Sequence, residues 1–128
     1  VYGIEIVQPA ILDARKNARD NHVKNAEFIV GDATKVMPAL YKQGIRPDVV
    51  VVDPPRAGCT PTVLQTFADM KPQRIIYVSC NPATLARDLA ILKEHGYHAK
   101  EVQPVDLFPQ TSHVETITLL SRGIPAGK

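Results

Sequence analysis

The chain has 128 residues, 45% of them hydrophobic and 22% charged, with a net charge of +2. That length suits one domain able to bury roughly two-thirds of the surface its unfolded chain exposes. No apolar run approaches the ~18 residues of a membrane helix, the start "VYGIEIVQPA" lacks the basic region of a signal peptide, and two cysteines without CxxC spacing argue against a disulfide framework or a zinc site; a cytoplasmic protein is expected.

The predicted elements alternate between strand and helix. "VYGIEI" reads as a strand. "PAILDARKNARDNH" reads as a helix, with Pro9 near its start and Ile11, Leu12 and Ala18 on its apolar side. Arg15, Lys16, Arg19 and Lys24 read as a solvated face rather than a nucleic-acid stripe. "AEFIVGDA" is a strand, and "TKVMPALYKQG" a short helix with Thr34 as N-cap and Gly44 as stop. Four valines in "PDVVVVDPPRAG" suggest a strand buried on both faces. "TPTVLQTFADMK" pairs Thr60 as N-cap with Pro61 at the first helical position. "RIIYVSC" is another buried strand, and "NPATLARDLAILKEHG" a helix with Leu85, Leu89 and Leu92 at helical spacing and Gly96 as stop. Two strands follow, "YHAKEVQPVDLF" and "VETITLLSR", and "GIPAGK" reads as a disordered tail over 123–128.

This alternation predicts an α/β fold, a mostly parallel sheet with helices on both faces. Ligands of such sheets bind beyond the carboxyl ends of the strands. Glu5, Asp32, Asp53 and Cys80 stand at four strand exits. Glu5 suits a carboxylate accepting from ribose hydroxyls, and equally a surface residue in a turn. Asp32 suits an adenine amino group, or the cap of the following helix. Asp53 reads as a buried acid before Pro54-Pro55, which restrict its backbone and aim its carboxylate as a rigid loop would for substrate positioning; a proline-rich turn is the plainer alternative. Arg56 suits a phosphate or a carboxylate partner, and Cys59 a packing role.

Cys80 lies at a strand exit, just before Asn81-Pro82 and a helix start. Peptide N–H groups at such a start favour a thiolate and hence a nucleophile. A small buried hydrophobe beside an Asn cap is an even alternative. In "FPQTSHVET", Glu115 falls on the same side of its strand as Ile117 and Leu119, a costly place for an acid without a task or a partner. His113 reads as structural more readily than as a base.

The segments "YGIE", "GDA", "DPPRAG", "VSCNPATLARDL" and "PVDLFPQTSHVET" run in order across nearly the whole chain. Together they resemble the S-adenosylmethionine-dependent RNA (uracil-5-)-methyltransferases, of the 23S ribosomal RNA type. The resemblance implies a Rossmann-like class I methyltransferase fold over residues 1–122, S-adenosyl-L-methionine as cofactor and RNA, ribosomal or transfer, as partner. By position, Cys80 matches the nucleophile and Glu115 the base at carbon 5. Glu5 matches the cofactor's ribose carboxylate, Asp32 lies near adenine, and Asp53 lies where donor and uracil meet.

The resemblance also implies that Val1 falls inside the family's second strand, so that the first strand and the glycine-rich loop are lacking. The chain is then expected to be the C-terminal part of the catalytic domain, inactive and a poor cofactor binder alone. Its unpaired inner strands are expected to pair or exchange with a second copy. Two other functions compete: a methyltransferase of exocyclic amines using Asp53-Pro54-Pro55, which leaves Cys80 and Glu115 idle, and a non-catalytic interaction module.

Overall fold

The computed structural model describes residues 1–106 and 114–123. Gln110 to His113 of the "FPQTSHVET" motif and the tail 124–128 lie outside the described residues. The chain divides into two compact units, Val1–Gln43 and Gly44–Lys128.

The first unit runs β1 (Tyr2–Glu5), α1 (Gln8–Asp20), β2 (Glu27–Val30), α2 (Ala33–Lys42). β1 and β2 pair in parallel from Tyr2↔Glu27 to Glu5↔Val30, so α1 is the crossover of a βαβ unit. Pro9 sits in the first turn of α1, where the missing N–H costs nothing. Ile11 is buried while Leu12 is 53% exposed, against the expected Ile11–Leu12 face. The inward side instead follows Ile11, Ala14 and Ala18, the i, i+3, i+7 spacing of a helix face. The expected basic face is exposed, with Lys16 paired to Asp20 at 2.8 Å. α2 is capped by Asp32 and not by Thr34: the Asp32 carboxylate accepts from Thr34 N–H.

The second unit runs β3 (Val49–Val52), α3 (Pro61–Met70), β4 (Arg74–Ser79), α4 (Pro82–Glu94), β5 (Tyr97–Val105), β6 (Glu115–Arg122). Its sheet has the order β3-β4-β6-β5. β3 and β4 are parallel, whereas β6 runs antiparallel between β4 and β5. The sheet is therefore mixed, because the last two strands form an antiparallel pair and the returning strand takes the place beside β4. Thr60 caps α3 through Val63 N–H with Pro61 following, and Asn81 caps α4 through Ala83 and Thr84 N–H. Gly44 and Gly96 hold positive φ just beyond α2 and α4, as helix stops require.

One sheet face carries Ile75, Tyr77, Thr118 and Leu120, all within 1% of complete burial. The register sets them opposite one another, Ile75↔Leu120 and Tyr77↔Thr118. Leu64, Phe67 and Met70 of α3 and Leu85 and Leu92 of α4 complete this core. The other face is more open, with Ile117 39% exposed. Glu115, Ile117 and Leu119 thus share the open face and not the core face. The four valines also depart from expectation: Val49 and Val51 are 46% and 66% exposed, since β3 pairs with β4 alone in its sheet.

Candidate active site

The expected site residues fall into two groups, one in each unit. In the first unit, the parallel register puts Glu5 and Val30 level, and Gly31 N–H donates to Glu5 O at 3.0 Å. Glu5 and Asp32 thereby stand at adjoining strand exits, both exposed. Glu5 makes no side-chain hydrogen bond among the described residues. The Asp32 carboxylate is held by Thr34 N–H at 2.9 Å. That bond keeps its pKa below the ordinary carboxylate value.

In the second unit, β4 and β6 bring Cys80 and Glu115 to adjacent strand ends. Ser79↔Thr116 is the outermost pair of the ladder, and the next residues outward are Cys80 on one strand and Glu115 on the other. The chain turns sharply at Cys80. The buried Ser79 hydroxyl accepts from Asn81 N–H at 3.0 Å and donates to Asn81 O at 2.9 Å, which closes a ring around the intervening residue. Cys80 itself is half-buried. Glu115 is half-buried too, and its Oε2 is shielded from solvent with no hydrogen-bond partner among the described residues. A shielded, unsatisfied carboxylate oxygen is costly, and in a native structure it calls for an explanation such as a catalytic role.

Asp53 follows directly on β3, beside the exit of β4. It is exposed, against the expected burial, because β3 is an edge strand. Pro55 O accepts from Gly58 N–H at 2.8 Å, so the Asp53–Arg56 segment ends in a tight turn. Gly58 has φ +80, and a Cβ there would lie 2.6 Å from Asp88 Oδ2; no other residue fits. Arg56 is exposed beside Asp53 in this loop.

The two thiols differ in kind. Cys59 is 7% exposed, and burial, with the nearby Asp88 charge, pushes its pKa up to about 11. It stays a packed thiol, as expected. Near pH 8.5, about the ordinary thiol pKa, iodoacetamide should modify Cys80 at least ~10-fold faster than Cys59 in the folded protein. Mass spectrometry of time points checks this, and equal rates would contradict it.

Asp88 escaped the sequence reading. It is fully buried and accepts from Tyr77 OH at 2.5 Å, Cys59 N–H at 2.8 Å and Arg87 Nε at 3.1 Å. The spacing Leu85, Asp88, Leu92 contains the signal, since i, i+3, i+7 is one helix face; Leu89 is only half-buried. No group of three or more metal-ligating side chains occurs among the described residues, and no helix among them is long and apolar enough to cross a membrane.

A family model described as tRNA (Uracil-5-)-methyltransferase matches residues 1–123. The chain belongs to this family. An uncharacterized RNA methyltransferase of Halalkalibacterium halodurans is 60% identical over 120 residues, 94% of this chain and 26% of that protein. One from Enterococcus faecalis is 54% identical over 124 residues, 97% of this chain and 27% of that protein. The chain thus spans about a quarter of the length of the curated relatives it matches.

Among solved structures, the Pyrococcus abyssi tRNA (uracil-54, C5)-methyltransferase in complex with S-adenosyl-L-homocysteine aligns with a TM-score of 0.80 and 40% identity, covering 94% of this chain and 28% of that one. A ribosomal RNA methylase of Streptococcus thermophilus aligns with a TM-score of 0.68 at 11% identity, covering 95% of this chain and 72% of that one; it shows likeness of fold alone. The methyltransferase fold expected from the sequence is the fold observed.

Proposed function

We propose that the full-length protein transfers a methyl group to carbon 5 of a uridine in RNA through a covalent cysteine adduct. The carrying observation is the β4–β6 register, whose last pair, Ser79↔Thr116, leaves Cys80 and Glu115 as the next residues outward on neighbouring strands. A thiol and a shielded carboxylate at adjacent strand ends are the two groups this reaction needs.

The cofactor is S-adenosyl-L-methionine, whose demethylated product accompanies the Pyrococcus relative. When bound, it supplies the methyl group on an electrophilic sulfonium. The first unit suits its ribose end: Glu5 is an exposed carboxylate at a parallel-strand exit, where ribose hydroxyls are commonly bound. Asp32 is the neighbouring carboxylate, already aimed by its bond to Thr34 N–H.

The chain's own residues do the rest. The Cys80 thiolate adds to carbon 6 of the uracil, forming a C–S bond and moving the ring electrons onto the carbonyl as an enolate. Carbon 5 thereby becomes nucleophilic. After methylation, Glu115 takes the proton from carbon 5, the C5=C6 bond re-forms and the C–S bond breaks, returning the thiolate. Glu115 then passes its proton to solvent. Asp53 and Arg56 border the exit of β4, Asp53 to orient the uracil and Arg56 to meet a phosphate or carboxylate. A uridine must leave its stack to reach Cys80.

The test is trapping with 5-fluorouridine RNA. Fluorine on carbon 5 cannot leave as a proton, so the adduct persists. Full-length protein with S-adenosylmethionine should give a covalent complex on a denaturing gel, attached through Cys80. Transfer RNA and ribosomal RNA, each with 5-fluorouridine, are assayed in parallel to assign the substrate. Absence of an adduct with either would refute the mechanism, as expected for an exocyclic-amine enzyme or a binding module.

A further inference from the structure

The loop after β3 carries Asp53 and Arg56, and the side chains of α4 take up its backbone. Arg56 O accepts from Thr84 Oγ1 at 2.9 Å and from Asn81 Nδ2 at 3.3 Å. Ala57 O accepts from Arg87 Nη2 at 2.6 Å. Cys59 N–H donates to Asp88 Oδ2 at 2.8 Å. Residues 81, 84 and 88 follow i, i+3, i+7, one face of the helix. Asp88 adds a bond from Tyr77 OH on β4 and an ion pair with Arg87 at 3.0 Å. It therefore joins β4, α4 and the loop at one buried carboxylate.

The chemistry argues for more than cohesion. A buried carboxylate is a poor way to add stability, because well-packed apolar side chains do as well. What it supplies is directional: three backbone groups of one loop are fixed by bonds whose geometry tolerates little drift. Asn81 follows Cys80 directly, and Tyr77 lies on the strand that presents it. The elements that hold the loop are thus the elements that hold the thiol.

We propose that Asp88, with Arg87 and Thr84, is a positioning residue: the first turns of α4 clamp the Asp53–Arg56 loop to the strand exit bearing Cys80, so that loop and nucleophile keep one fixed geometry. The catalytic consequence rests on the proposed uracil methylation; the clamp itself does not.

The experiment compares full-length wild type with Asp88→Asn, Thr84→Val and Thr84→Ser, by hydrogen exchange over residues 53–60, by kcat and KM for RNA methylation, and by thermal melting. Exchange at the Cys59 amide should rise at least ~10-fold in Asp88→Asn, and exchange across the loop should rise in Thr84→Val. kcat should fall by roughly 10- to 100-fold in both, since loss of orientation at a reacting centre has effects of that order. Thr84→Ser, which keeps the hydroxyl, should restore both readouts. Should Asp88→Asn not fold, the Thr84 pair carries the test.

Loop exchange as slow as in wild type in folded Thr84→Val would overturn the clamp, whatever the reaction. Faster exchange with unchanged kcat would overturn the positioning role, as would a kcat loss matching only the loss of folded protein. A wild type that forms no 5-fluorouridine adduct refutes the proposed function instead, and the exchange arm still decides the clamp.

Discussion

Replacing Cys80 with alanine in the full-length protein is expected to lower methyl transfer by on the order of 10⁴-fold or more, the scale on which removal of a covalent nucleophile acts. Without Sγ, carbon 6 receives no nucleophile and carbon 5 stays unreactive. The fold should survive. Cys80 is half-buried, and the Ser79–Asn81 ring around it uses the Ser79 hydroxyl and the Asn81 backbone, all retained in the variant. The measurement is incorporation of labelled methyl into RNA, alongside the melting temperature and a 5-fluorouridine gel. A Cys80→Ala protein that still methylates would refute the nucleophile.

Glu115→Gln is expected to fail in the opposite place. Glutamine keeps the size of the side chain and loses the base, so adduct formation proceeds while removal of the carbon 5 proton does not. kcat should fall by about 10²- to 10⁴-fold, the usual contribution of a positioned base. Ordinary uridine RNA should then accumulate as a covalent complex with the protein, which Cys80→Ala can never show. Stability should move the other way. Glu115 Oε2 is shielded and unpartnered among the described residues, and a neutral amide is less costly there than a charged oxygen. The melting temperature of Glu115→Gln should equal or exceed that of wild type. A turnover close to wild type, with no accumulated complex, would remove Glu115 from the mechanism.

The proposed mechanism makes substitutions at these two positions separable, because it assigns the residues successive steps from different strands. Cys80 directly follows β4, and Glu115 begins β6 after the whole of α4 and β5. Their meeting depends on β6 entering antiparallel between β4 and β5, a pairing that neither segment encodes by itself. Asp88 is a similar case. The sequence reading gave it no role. In the fold it is fully buried, because the loop after β3 and the Tyr77 hydroxyl meet it there.

The sequence by itself determined what short-range physics controls. Strand–helix alternation, the Thr60–Pro61 start of α3, the Asn81 cap of α4 and the Gly96 stop each rest on interactions within about one helical turn, and each stands where it was expected. So does the placement of Asp53 and Cys80 at strand exits. Local reading left the cap of α2 open between Thr34 and Asp32, and the structure gives it to Asp32. Local reading erred where burial depends on neighbours far along the chain: Val49 and Val51 stay open on an edge strand, and Ile117 and Leu119 share the open face with Glu115. Only the tertiary structure decided that Cys80 and Glu115 come to adjacent strand ends, and that the buried Asp88 carboxylate holds the loop after β3. The physical reason is the same in both: strand order and burial are settled by contacts between segments distant in sequence, whose register no local period carries.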